Sequence, residues 1–128
     1  MVSLSRLEFE ALINTAIEAL PERYVEHLAN VAFIIEDQPN AEQRQRLHLR
    51  GDQSLFGLYE GVPLSARQGT VKLLPDKITI FQKPLEAASQ TPAELRERVG
   101  RTVWHEVAHY YGLDHTRINE LEQKENEP

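Results

Sequence analysis

Four side chains that can do chemistry together are clustered near the end of the chain: His105, Glu106, His109 and His115, with Gly112 between the last two histidines. Imidazole nitrogen is a zinc ligand, and a catalytic zinc takes three protein ligands and leaves its fourth position to water. Residues four apart on a helix share a face, so His105 and His109 can reach one ion. Gly112 lets the chain turn sharply just past the second ligand. That turn can bring His115 back as the third ligand, whereas a helix continuing straight would carry it off the shared face. Glu106 adjoins the first ligand but is not itself a ligand in this pattern. It lies beside the metal-bound water and takes its proton. The ion lowers the pKa of that water to about 7 and polarises the carbonyl under attack, and Glu106 can return the proton to the leaving amine. The expectation is metal-assisted hydrolysis with one zinc ion per chain, held by His105, His109 and His115, with Glu106 as general base. A Gly and a third His at fixed offsets make this far more specific than a bare HExxH.

Other residues compete for roles. Asp114 is an alternative third ligand, or a carboxylate that orients a ligating histidine. Glu120 and Glu122 could supply a carboxylate ligand, but they follow His109 too closely for a Glu carried on a separate downstream helix. His27 and His48 stand alone in polar stretches and read as surface or structural residues. Tyr111 is expected in the core and Tyr110 at the cleft, where a hydroxyl could stabilise a developing oxyanion. Two arginine clusters, Arg44, Arg46 and Arg50, and Arg96, Arg98 and Arg101, read as solvated helix faces.

The elements that position the motif are legible in outline. Thr91, Pro92 and Glu94 place a capping Thr, a Pro at the first helical position and a Glu at the third. Leu95, Val99, Val103 and Val107 then recur every four residues, and Trp104, Ala108 and Tyr111 broaden the apolar face. The pattern predicts a helix over residues 92–111 ending at Gly112, a residue type that readily takes the left-handed conformation. Upstream, Ser5 and Glu8 have capping-box spacing, with Leu4 and Phe9 at the flanking staple positions. Phe9, Leu12, Ile13, Ala16, Ile17 and Leu20 form one helical stripe, and Pro21 restarts the chain as a short second helix. Residues 31–35 read as a buried strand, closed by a turn at 37–40. Residues 41–49 read as weakly helical and 55–59 as a second strand with Gly51, Gly57, Gly61 and Gly69 marking the loops around it. Pro75 and Asp76 lead into an alternating third strand at 77–81. Either of the last two strands could present an edge to the histidines, where an extended peptide could add as a strand.

Composition narrows the classes. The chain has 128 residues, 41% of them hydrophobic, enough for one domain and one core but not two. It contains no cysteine, so a metal must be held by His, Asp or Glu. No run approaches the ~20 apolar residues that span a bilayer, and the N-terminus lacks the apolar region of a signal peptide. A soluble cytoplasmic protein without membrane association is expected. The net charge of −6 argues against a nucleic-acid partner, because phosphate binding needs a basic surface.

The stretch His105 to His115, HEVAHYYGLDH, resembles the extended zincin signature HExxHxxGxxH, which the metzincin clan, including the matrix metallopeptidases, also uses. That clan has a methionine turn beneath its metal, and the only methionine here is Met1. The chain as a whole, from about Leu4 to Leu121, resembles the small bacterial zincin-like metallopeptidases, minimal zincins sometimes described as having a matrix-metallopeptidase-like domain. LFGLYEGVPL at residues 55–64, PDKITIF at 75–81 and the motif itself carry the likeness. The resemblance implies a compact α/β (α+β) fold, with a small mixed sheet packed on an N-terminal helix and a long active-site helix. It also implies a metalloprotease acting on a peptide or protein substrate. In that family Asp often stands where this chain has His115. A second likeness weighs less: GLDH at residues 112–115 is similar to the ending of bacterial metal-dependent endoribonucleases that mature ribosomal RNA. Those enzymes lack a Glu after the first His. A third reading is a non-catalytic metal-binding or interaction domain on a zincin scaffold. The thirteen residues after His115 cannot build a second lobe over the cleft, so a partner protein could complete it.

Overall fold

The first helix starts where two side chains satisfy its free N–H groups. In the computed structural model, which describes residues 2–62, 76–113, 116–118 and 120–121, Ser5 caps helix α1 (Arg6–Glu18). Its hydroxyl accepts from Glu8 N at 3.1 Å, and Glu8 Oε1 accepts from Ser5 N at 3.0 Å. Phe9 and Ile13 are buried, and Leu4, Leu12, Ala16, Ile17 and Leu20 pack beside them, as the apolar stripe predicts. Pro21 sits at the N-cap of the short helix α2 (Glu22–Val25), and a 3₁₀ turn at Leu28–Asn30 leads into strand β1 (Val31–Glu36). Asn40 and Gln43 form a second capping box that starts α3 (Ala41–Arg46).

The sheet has three strands in the order β1, β3 and β2, where β2 is Gly57–Glu60 and β3 is Asp76–Phe81. It is mixed: β1 runs parallel to β3, and β2 antiparallel to it. Four expectations change here. The second strand begins two residues later than 55, so Gly57 opens the strand instead of marking a loop. The third strand does not alternate: Ile78, Thr79, Ile80 and Phe81 are all fully buried, so both of its faces are covered. Paired with β1 on one side and β2 on the other, it has no open edge to offer a peptide, whereas β2 pairs with β3 on one side only among the described residues. Strand β1, expected to be buried, is half-buried beyond Val31. Pro75 and Gly69 lie outside the described residues.

Helix α4 (Gln82–Ala88) follows β3 directly, an element the apolar pattern does not announce. It is held by polar contacts. Glu86 Oε2 accepts from Leu4 N at 2.7 Å and from Gln82 Nε2 at 3.1 Å, and Gln82 Nε2 also donates to Leu4 O.

Helix α5 (Pro92–Tyr111) has the predicted bounds. Thr91 Oγ1 accepts from Glu94 N, and Glu94 Oε2 accepts from Gln90 N, one residue ahead of the cap. Leu95, Val99, Val103 and Val107 are fully buried and meet Phe9, Ile13, Ile78, Ile80 and Leu85 in one core. The sheet thus packs on α1 and α5, a single α+β domain. A smaller cluster covers the outer side of α5, where Ile118 and Leu121 are buried against Trp104 and Ala108. No described helix is long and apolar enough to cross a membrane.

Candidate metal centre

The last two turns of α5 carry His105, Glu106 and His109. The helix stops at Gly112, which takes the left-handed conformation (φ 80°) that a residue with a Cβ adopts at a cost. Leu113 N donates back to Ala108 O at 3.1 Å, which closes the helix end and redirects the chain. His115 and Asp114, the candidates for a third ligand, lie outside the described residues, as does Glu122. Glu120 is exposed and pairs with Arg117 at 3.2 Å.

His105 and His109 are both partly exposed, with ring centres 5.2 Å apart and planes at 82°. An ion about 2.0–2.1 Å from one nitrogen of each ring, at a tetrahedral angle, sets two ring centres roughly 5 Å apart. The observed spacing therefore fits a shared ion. Glu106 is buried, with Oε1 3.3 Å from His109 Nδ1. That hydrogen bond holds the His109 pKa above the ordinary histidine value, against the opposing effect of burial. It also assigns the N–H of neutral His109 to Nδ1, leaving Nε2 as the nitrogen with the lone pair. Among the described residues no third His, Asp or Glu joins them.

A cleft of about 420 Å³ opens beside these groups. One wall is Leu55, Phe56 and Gly57, at the entry to β2. The other is the face of α5 that carries Arg98, Arg101 and Thr102 up to His105 and Glu106. The two walls touch closely at Gly57. A Cβ built there would lie 2.8 Å from Thr102 Cγ2 and 3.1 Å from Glu106 Cγ. Glycine at this position lets strand and helix approach and seats Glu106 between them.

The structure revises several expected roles. Tyr110, expected at the cleft, is 2% exposed in the core, and its hydroxyl donates to His27 O at 3.0 Å. Tyr111, expected in the core, is the half-buried one, donating to Tyr24 O at 2.8 Å. The reason is the helical period: Val103, Val107 and Tyr110 follow the i, i+4, i+7 stripe, while Tyr111 falls on the neighbouring stripe with Trp104 and Ala108. Arg98 and Arg101 line the cleft, so their cluster is not simply a solvated face, though Arg96 is exposed. In the other cluster Arg46 pairs with Glu60 at 2.7 Å and Arg44 donates to Arg50 O. His27 and His48 are both on the surface.

No curated protein matches the chain. A family model described as zincin-like metallopeptidase matches residues 28–125, a span that takes in the whole sheet, α5 and the HExxH motif. The chain belongs to the zincin-like metallopeptidase family.

Proposed function

We propose that the protein is a zinc-dependent peptidase whose metal is held by His105, His109 and His115 and whose general base is Glu106. The observation that carries this reading is the pairing of two imidazoles on one helix face, at ion-sharing distance, with a buried carboxylate beside the first of them, at the end of an open cleft. Membership of the family supports the metal and the class of reaction.

Zinc bound there supplies Lewis acidity and makes water ionisable near neutral pH. The chain's own residues do the rest. His105 and His109 project from one face of a capped helix, so their separation is fixed before any ligand arrives. Glu106, buried beside Gly57 and hydrogen-bonded to His109 Nδ1, has little freedom to swing away. Its carboxylate accepts a proton from the attacking water as the water oxygen bonds to the peptide carbonyl carbon. The same carboxyl then protonates the departing nitrogen as the C–N bond breaks, and the net reaction is hydrolysis of one peptide bond. The outer edge of β2 beside the cleft suits an extended peptide, whose backbone can pair with a strand edge.

Glu106→Gln tests the reading. It keeps the shape and removes the basicity, so zinc affinity measured by competition with a chromogenic chelator should stay nearly constant. Hydrolysis of any peptide that the wild type cuts should slow by at least about a hundredfold. Equal rates for wild type and variant would assign the activity to another group. Normal zinc binding by both proteins with no peptide cut in a proteome-derived library would instead support a metal-binding interaction domain.

A further inference from the structure

The cleft extends well beyond the histidines, and its far end carries two positive charges. Arg98, Thr102, His105 and His109 follow one another at helical intervals of four, three and four residues, which puts them along one stripe of α5. Arg101 is beside that stripe, one turn from His105. Arg98 is half-buried, and its Nε is shielded from solvent without a hydrogen-bond partner. Among the described residues no carboxylate pairs with it. Among the described residues Arg101 pairs with Glu97 at 3.5 Å, both side chains more than half exposed. Such surface pairs are weak and exchange readily for a better partner. Guanidinium groups present several N–H donors in a planar fork that matches a carboxylate. In a chain of net charge −6, two such groups in one cleft are a local reversal of sign.

We propose that Arg98 and Arg101 form a carboxylate-reading subsite, so that the cleft prefers peptides with an acidic group two or three residues from the bond held at His105 and Glu106. For a peptide lying along α5, the register follows from helix and strand geometry. Arg101 and Arg98 are four and seven residues before His105, or about 6 and 10 Å along the helix axis. An extended peptide advances about 3.3 Å per residue, so two or three residues cover that distance. Leu55 and Phe56 face the arginines across the cleft and give the intervening residue an apolar wall. The acidic group can be an Asp or Glu side chain, or the peptide's own terminal carboxylate. This inference rests on the reading of the cleft as a peptide-binding site.

The test measures binding apart from cleavage. Zinc-loaded Glu106→Gln protein is titrated with rhodamine-labelled octapeptides that carry Glu or Gln at the third residue from the centre, on either side. The Glu peptide should bind about tenfold more tightly than its Gln counterpart at low salt, with the difference shrinking as salt is added. Adding Arg98→Gln should remove most of that discrimination, and Arg98→Lys should retain part of it. Arg101→Gln, at an exposed position, gives the same readout if the Arg98 variants melt early. Shortened peptides ending at that residue, with free or amidated C-termini, show whether side chain or terminus is preferred. Equal affinity for all Glu, Gln, free-acid and amidated peptides overturns the subsite, even if the wild type proves an active peptidase. Discrimination that depends on Arg98, in a protein whose wild type cuts nothing, sustains the subsite and sinks the peptidase reading instead.

Discussion

Replacing Gly57 with Ala adds one methyl group at the closest approach between β2 and α5. Carbon atoms in contact sit about 3.5–4.0 Å apart. The new Cβ would be 2.8 Å from Thr102 Cγ2, so about 0.7–1.2 Å must be found there. The strand cannot retreat freely, because Thr79 O, on the central strand, is already 3.4 Å from the same Cβ. The displacement therefore falls on Thr102 and on Glu106, whose Cγ is 3.1 Å away. Overpacking of this kind costs about 1–3 kcal/mol. Loss of glycine's freedom in the unfolded chain offsets about 0.4–1 kcal/mol of that, so overpacking should win. A misplacement near 1 Å at a catalytic group can cost on the order of 100-fold in rate. Thermal melting and chelator-sensitive peptide turnover, measured together, read both effects. Thr102→Ser in the same background removes the nearest methyl and keeps the hydroxyl that donates to Arg98 O at 2.8 Å. It should recover most of the stability but only part of the rate, since the contact with Glu106 remains. A Gly57→Ala protein that melts and turns over like the wild type would refute this account. So would a loss of stability that Thr102→Ser leaves untouched.

Other outcomes follow from single contacts. Glu86→Ala leaves the Leu4 amide without its acceptor and takes one of the two acceptors of Gln82 Nε2, and should destabilise the fold by about 1.5–3 kcal/mol; urea unfolding reads the loss, and faster hydrogen exchange at Leu4 locates it. The Glu8 carboxylate is held below the ordinary glutamate pKa by hydrogen bonds from the Ser5 backbone and then its side chain. Its contribution is present above the ordinary value and is lost as pH falls through the lowered one, so unfolding curves of Glu8→Gln and wild type should differ at pH 7 and converge in acid. His115→Ala should weaken zinc binding by more than about a hundredfold and Asp114→Ala by less, the range typical of a residue that only orients a ligand; the reverse order, by chelator competition, would make Asp114 the third ligand.

What could be read from the sequence is what is encoded locally. The caps of α1 and α5, the four-residue apolar spacing and the stop at Gly112 are properties of a few consecutive residues, and all are in the structure. What could not be read depends on distant partners. Helix α4 has a poor apolar stripe because two of its inward positions are Gln82 and Glu86, whose burial makes sense only once the Leu4 backbone is beside them. The alternation expected of β3 assumes one wet face, but residues distant in the chain pack over the strand and leave Ile78, Thr79, Ile80 and Phe81 all buried. Gly57 reads as a loop glycine until α5 is laid against it.

The candidate site divides along the same line. His105, Glu106 and His109 are placed by helix periodicity alone, so their spacing already carried the geometry that the structure displays. The cleft is a tertiary object, made where the entry to β2 meets one stripe of α5, and no sequence window contains both walls. That is why Arg98 and Arg101 read as solvent-facing charges on a helix, when the stripe that carries His105 and His109 also carries Arg98. A helix that presents two histidines at one end of a groove presents its preceding turns along that groove. The groups proposed to react are therefore fixed by the last two turns of α5 and the neighbouring contacts by the two before them. If the cleft holds peptides as proposed, substitution at Arg98 or Arg101 should thus change which of them it holds while Glu106 and its neighbouring histidines stay where they are.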